Sequence, residues 1–274
     1  VVPKIDIKEE KEFKSVIDAI NHRKGNEVSV SGFLNNPDGT FINGYKEILK
    51  KGTSEVVPKW VKDGCIQCNQ CSFVCPHGVI RPFLLNEEEY KKAPNYIKER
   101  ALKAIGKGNM YFVIGISVMN CTGCGLCLKT CPSKQNAKAL ISTTLIEQKK
   151  NNEQKIFDYL EKNISEKEEY PINSVKGSQF RKPKFAFCGA CAGCGETSYI
   201  KVLTQLFGNH MIIANATGCS SIYGGSMPIL PYQVPWSNSL FEDNAEYGYG
   251  ILIGNNYARG KIAGIMQNNL KGKN

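Results

Sequence analysis

At 274 residues, with 42% hydrophobic and 22% charged residues, the chain has the size and composition of a water-soluble protein with one large or two small cores. No apolar run reaches the roughly 18 residues of a membrane span, and the opening "VVPKIDIKEEKEF" has neither an initiator Met nor a signal-type apolar core, so neither a membrane protein nor an exported one is expected. Lys and Arg outnumber Asp and Glu by 35 to 25, but they are scattered through mixed-sign segments, which argues against nucleic acid and suits either plain solubility or an acidic electron carrier as partner.

Residues 1–52 read as a small α/β connector module. Phe13, Val16, Ile17 and Ile20 fall at helical spacing, "EVSVSGFL" alternates as a strand would, and "NPDGT" carries turn chemistry. Residues 53–144 hold two cysteine motifs separated by an insert. A helix with Ile97, Ala101, Leu102 and Ile105 on one face and Gly106 as its stop is expected there, then a strand, "MYFVIGISV". Residues 145–184 suggest one amphipathic helix carrying Phe157, Leu160 and Ile164, followed by a Lys-rich linker, "KGSQFRKPK". In residues 185–274 "KFAFCGA" reads as a short buried strand. Tyr199, Val202, Leu203 and Leu206 then read as a helix stopped by Gly208, and "HMIIANA" as a second strand. That order is the grammar of a parallel α/β domain, though the chain is too short to close a large doubly wound sheet. The expected fold class is α+β: a two-cluster bacterial ferredoxin-like domain followed by the start of an α/β domain.

The twelve cysteines all fall in three groups, which points to metal or cluster ligation rather than disulfides. "CIQCNQCSFVCP" and "CTGCGLCLKTCP" both match C-x2-C-x2-C-x3-C-P, the bacterial ferredoxin run in which the fourth Cys ligates the other cluster. One [4Fe-4S] cluster is therefore assigned to Cys65, Cys68, Cys71 and Cys131, and a second to Cys121, Cys124, Cys127 and Cys75. Zinc also takes four thiolates, but its ribbons use paired C-x2-C knuckles. Pro76 and Pro132 turn the chain away after each crossing ligand, while Gly123 and Gly125 let backbone N–H groups approach the sulfurs. His77 reads as a surface residue or one that supports a ligand, and Cys188 as a buried apolar residue. Cys191 and Cys194 form C-x2-C at a turn, and Cys219 follows 25 residues after Cys194. By spacing these three are either an incomplete third metal site or redox-inactive thiols.

"CIQCNQCSFVCPHGVIRPF", "GACAGCGETSYIK" and "IANATGCSSIYGGSMPILPY", in that order, resemble the single-chain pyruvate:ferredoxin (flavodoxin) oxidoreductases over about residues 37–250. "DGTFINGYKEILKKGTSEVVPKW" is similar to the connector before their ferredoxin domain. The resemblance implies that residues 185–274 are the N-terminal part of a thiamine-diphosphate-binding domain. Cys191, Cys194 and Cys219 would ligate a proximal [4Fe-4S] cluster completed by a Cys from elsewhere. Glu196 would contact thiamine diphosphate, with Cys219 against it. No catalytic residue is assigned within the chain. The implied reaction is oxidative decarboxylation of pyruvate with coenzyme A to acetyl-CoA and carbon dioxide, with ferredoxin or flavodoxin as electron acceptor. A homodimer is implied, located in the cytoplasm or an anaerobic organelle such as a hydrogenosome. The Mg²⁺ and diphosphate ligands and the substrate-binding domains would lie outside these residues, so the chain is expected to be an internal fragment, inactive alone. The alternatives are a stand-alone two-cluster electron carrier and the same enzyme type acting on another 2-oxo acid.

Overall fold

The computed structural model describes residues 24–34, 50–134, 136–224 and 236–271, together with Val16, Ala19 and Pro37. The chain divides into two compact units, 1–42 and 43–274. In the first, Val16 and Ala19 are helical and Pro37 lies in a turn, whereas Phe13, Ile17, Ile20 and the rest of "NPDGT" fall outside the described residues. The strand expected in "EVSVSGFL" is instead a pair of 3₁₀ turns, Gly25–Glu27 and Val30–Phe33. Local bonds explain the difference: Val28 N donates to Gly25 O and Gly32 N to Ser29 O, and Val30, 91% exposed, has no face to bury.

The second unit begins with β1 (Val56–Trp60), α1 (Gln70–Phe73), β2 (Ile80–Leu85), α2 (Glu87–Lys92), α3 (Asn95–Lys98), β3 (Leu102–Lys103) and β4 (Tyr111–Ile116). It continues with α4 (Leu126–Thr130), β5 (Leu140–Thr144), α5 (Leu145–Lys150), α6 (Glu153–Asn163) and α7 (Val175–Ser178). β1 pairs antiparallel with β5, from Val56 opposite Thr144 to Trp60 opposite Leu140. A second antiparallel sheet has the order β2-β4-β3, with Ile80 opposite Ile116.

β4 is a nearly continuous apolar run because both its faces are covered. Phe112 and Ile114 face the first cysteine pocket, and Phe112 meets Trp60 edge to face at 6.2 Å. On the other face α6 comes so close that a Cβ on Gly115 would lie 3.1 Å from Leu160 and 3.3 Å from Phe157. α2 starts with a reciprocal capping box: Glu89 N donates to Asn86 Oδ1 at 2.8 Å and Asn86 N to Glu89 Oε2 at 2.9 Å.

Expectations for two helices and one strand are corrected. The insert helix shrinks to α3. Leu102 leaves it for β3 opposite Phe112, and Gly106, at φ +76°, makes the turn into β4 rather than a helix stop. The single helix expected after residue 145 is two, broken at Asn152, whose φ is +55°. Ile164 stands just beyond α6 in extended conformation. "KFAFCGA" is buried but makes no strand: Phe187 adopts φ +52° and donates its N–H to His77 O at 2.8 Å. The expected linker segment carries α7 and a buried Phe180 stacked on Tyr170 at 5.4 Å.

Then follow α8 (Thr197–Phe207), β6 (Ile213–Ala216), α9 (Cys219–Gly224), β7 (Trp236–Ser239) and the 28-residue α10 (Asn244–Lys271). β6 and β7 pair in parallel, Ala214 opposite Ser237. α8 has the expected period and ends at Gly208, but its polar face turns inward. Thr197, Lys201, Thr204 and Gln205 are buried, while Tyr199 is 72% exposed and Leu203 and Phe207 also face out. Specific polar partners hold that face: Gln205 Nε2 donates to Arg181 O at 2.8 Å and Gln179 Nε2 to Gln205 Oε1 at 3.2 Å. Among the described residues no helix is long and apolar enough to cross a membrane.

Candidate metal centres

Each cysteine run wraps a tight loop ahead of a short helix, the first leading into α1 and the second into α4. Both loops use left-handed backbone at the same two places. In the second run these are Gly123 (φ +67°) and Gly125 (φ +74°); in the first they are Gln67 (φ +57°) and Asn69 (φ +62°). The conformation aims N–H groups at sulfur: Gly123 N donates to Cys121 Sγ at 3.4 Å, and the Gln67 N–H stands in the same relation to Cys65.

Gln67 and Asn69 were not singled out by sequence reasoning, since only glycine advertises positive φ. Their buried side chains compensate the strain. Gln67 Nε2 donates to Lys103 O at 2.8 Å while its Oε1 accepts from Ile105 N at 2.9 Å, and Asn69 Nδ2 donates to Lys176 O at 2.8 Å. Aligning the two runs position by position is the signal that finds them.

Two cavities lie under the loops. One is lined by Cys65, Cys68, Cys71 and Cys131 with Trp60, Phe112 and Ile114. The other is lined by Cys75, Cys121, Cys124 and Cys127 with Pro58, His77 and Ile80. The fold thus carries the last cysteine of each run into the pocket of the other. Among the described residues no three His, Cys, Asp or Glu side chains converge as a single ion requires. Four thiols around a cavity suit instead a body gripped at its corners. Burial pushes the Cys65, Cys71, Cys121 and Cys127 thiols up, Cys121 to about 12, and neighbouring thiols push the same way. Such a donor set fits an occupant that brings positive charge with it.

The third group sits beside the second pocket. Cys191 and Cys194 share one turn, with Cys194 N donating to Cys191 O at 3.1 Å and Gly193 at φ +75°. A Cβ on Gly193 would lie 3.4 Å from that of Cys124. His77, which sequence reasoning left as a surface or supporting residue, is 2% exposed and spans the junction. Its Nδ1 is 3.2 Å from Cys188 O and its Nε2 is 3.2 Å from Cys191 O.

Cys194 is held below the usual thiol range. Burial acts upward on it, but the N–H groups of Glu196 and Thr197 at the start of α8 outweigh that. Cys188 is buried against Phe185 and Tyr223, and Phe185 and Tyr223 meet at 5.8 Å. Cys219 opens α9, one turn before Tyr223 on the same face, and is exposed, as are Cys191 and Glu196. Burial, then the neighbouring Glu196 carboxylate, pushes the Tyr223 phenol up; its buried hydroxyl makes no hydrogen bond of regular geometry. The structure therefore places Cys191, Cys194, Glu196 and Tyr223 in one neighbourhood, and Cys219 on the helix that Tyr223 anchors there.

Residues 64–135 match the family model of a 4Fe-4S dicluster domain. The chain is 46% identical over 257 residues to the pyruvate:ferredoxin oxidoreductase of Moorella thermoacetica, covering 90% of this chain and 21% of that protein. It is 42% identical over 260 residues to the pyruvate-flavodoxin oxidoreductase of Klebsiella pneumoniae, covering 92% and 22%. It is 40% identical over 265 residues to the pyruvate dehydrogenase [NADP(+)] of Cryptosporidium parvum, covering 94% and 13%. The chain thus spans about a fifth or less of the length of these relatives.

Proposed function

We propose that this chain, homologous over nine-tenths of its length to pyruvate:ferredoxin and pyruvate-flavodoxin oxidoreductases, is the electron-relay segment of an enzyme with that activity. Pyruvate and coenzyme A would yield acetyl-CoA, carbon dioxide, a proton and two electrons, the electrons passing singly to ferredoxin or flavodoxin. In this reading Cys65, Cys68, Cys71 and Cys131 hold one [4Fe-4S] cluster, and Cys121, Cys124, Cys127 and Cys75 the second. Cys191, Cys194 and Cys219 hold three corners of a third.

Bound clusters would supply one-electron transfer; the chain's own residues set where they lie, shield them with Trp60, Phe112 and Ile80, and donate N–H groups to their sulfurs. The observation that carries the reading is the seat of the Cys191–Cys194 turn against Cys124, fastened by His77, which gives the third group a short route into the two-pocket relay.

Thiamine diphosphate, when bound, would supply the carbanion chemistry of decarboxylation. We assign Glu196 and Cys219 to its side of the third group, because Glu196 neighbours both Tyr223 and Cys194, and Cys219 stands one turn from Tyr223 on α9. No Mg²⁺ ligand is assigned here. A homodimer and a reducing compartment, the cytoplasm or an anaerobic organelle, belong to the same reading.

In the full-length protein Cys219→Ala should abolish the third centre's paramagnetic signal and pyruvate-dependent ferredoxin reduction. Glu196→Ala should weaken thiamine diphosphate binding in a direct titration while the two ferredoxin-type signals persist. Undiminished ferredoxin reduction by the Cys219 variant refutes the assignment.

A further inference from the structure

Lys201 projects from α8 into the interior, where it is 1% exposed. Its Nζ donates to the carbonyl of Ser72 and, at 3.2 Å, to that of Phe73, the last carbonyls of α1. Those two residues lie between Cys71, in the first pocket, and Cys75, in the second. Burying an ammonium costs several kcal/mol unless it is paired, and among the described ion pairs none joins Lys201 to a carboxylate. Arg81, whose charge acts against that of Lys201, is itself paired with Glu161, which Lys182 also meets. Burial pulls the Lys201 ammonium down, to about 8, and the sulfurs of Cys75 and Cys71, one from each pocket, are the neighbours that act the other way. An apolar side chain would fill this place without the penalty, so the charge calls for a partner, and two thiolate-ligated clusters carry net negative charge on either side.

We propose that Lys201 is the shared counter-charge of the two ferredoxin-type centres, an ammonium fixed by the Ser72 and Phe73 carbonyls between their Cys71 and Cys75 corners. The inference rests on the ligation assigned above. A fixed positive charge favours the more negative, reduced state of a neighbouring centre, so Lys201 raises both reduction potentials. Its position on α8 ties this tuning to the third group, because the same helix begins three residues after Cys194. Lys201 acts through the centres and is a positioning and tuning residue, not a catalytic one.

The test is a redox titration followed by paramagnetic resonance on the intact, anaerobically prepared protein, with iron and sulfide counted for every variant. Lys201→Met removes the charge and the donor, Lys201→Gln removes the charge but keeps an N–H donor, and Lys201→Arg keeps the charge. Both ferredoxin-type potentials should fall in the Met and Gln variants at unchanged iron content and stay near the wild-type values in the Arg variant. Loss of clusters in both neutral variants with retention in the Arg variant also supports the proposal. Wild-type potentials in a loaded Met or Gln variant, an Arg variant shifted as far as the neutral ones, or cluster loss in all three overturns it. Failure of the ligation reading is separate, because it appears in the wild type as the absence of two four-iron centres.

Discussion

Arg81 lies between the rings of Phe157 and Phe187, at 5.4 and 5.0 Å, and pairs with Glu161 at 2.7 Å. Glu161, with a side chain 14% exposed, also meets Lys182 at 2.7 Å. Burial alone would push its carboxyl up, but Arg81 and Lys182 together hold it below the usual range. Glu153 is the opposite case. It is 1% exposed, with Arg100 as its bidentate partner at 2.7 and 3.0 Å, and burial outweighs Arg100 and the charge of Lys59, so its carboxyl is raised. The stability from Glu161 is present above its unfolded pKa, near 4.3, and is lost as pH falls through the lower folded value. That from Glu153 is present below the unfolded value and is lost as pH rises through the higher folded one. On acidification, stability to urea should therefore fall less steeply below about pH 4.3 in Glu161→Gln than in wild type, and more steeply between about pH 6 and pH 4.3 in Glu153→Gln. Glu161→Gln should also cost about 3 kcal/mol at neutral pH, the scale for breaking a buried pair. Equal slopes in the two variants would contradict the assignment of burial and pairing to these residues.

Among the elements, what was legible in the sequence is what short-range chemistry dictates. The two runs stood out because loop geometry around four thiolates fixes their spacing, and β4 because its apolar run is long and bounded. The insert helix was misread because Leu102 pairs with Phe112 across ten residues of sequence, a non-local gain that helical periodicity cannot show. α8 was read with the right period and the wrong face, since Lys201 and Gln205 point inward only because carbonyls wait for them there.

The paired loops permit a sharp comparison. A Cβ on Gly123 would stand 2.8 Å from Val56 O and 2.1 Å from Ser54 Oγ, whereas one on Gly125 would meet nothing within 4 Å. Gly125→Ala should cost only the left-handed penalty of about 1 kcal/mol, and Gly125→Asn, which copies Asn69, less still. Gly123→Ala must displace β1 and withdraw its N–H from Cys121, so it should lose more than about 2 kcal/mol together with iron from the second pocket. Thermal unfolding and iron content of the three variants check this. Similar behaviour of the alanine variants would mean that close approach to β1 does not constrain the loop.

Across the whole molecule the two runs, 56 residues apart, are interlocked rather than stacked as independent halves. Cys75 leaves α1 for the pocket of the second run, and Cys131 leaves α4 for the pocket of the first, next to Ser133 and Leu140 where β5 joins β1. The crossing was legible from the motif, whereas the third group's place was not, because folding brings the Gly193 turn to Cys124 across 69 residues and Cys188 and Cys191 to His77 across more than a hundred. Damage to a crossing ligand should therefore appear in the distant pocket. On the proposed ligation, Cys131→Ser should disturb or convert the centre assigned to Cys65, Cys68 and Cys71, and leave the one in its own run with four thiolates. Cys75→Ser should do the reverse. Paramagnetic spectra of the two reduced variants decide the matter, with iron falling from about eight toward four to seven per two ferredoxin-type centres. If each substitution instead harms the centre of its own run, the cavities have been paired with the wrong cysteines, and the short route from the Cys191–Cys194 turn through Cys124 would lead into a different centre.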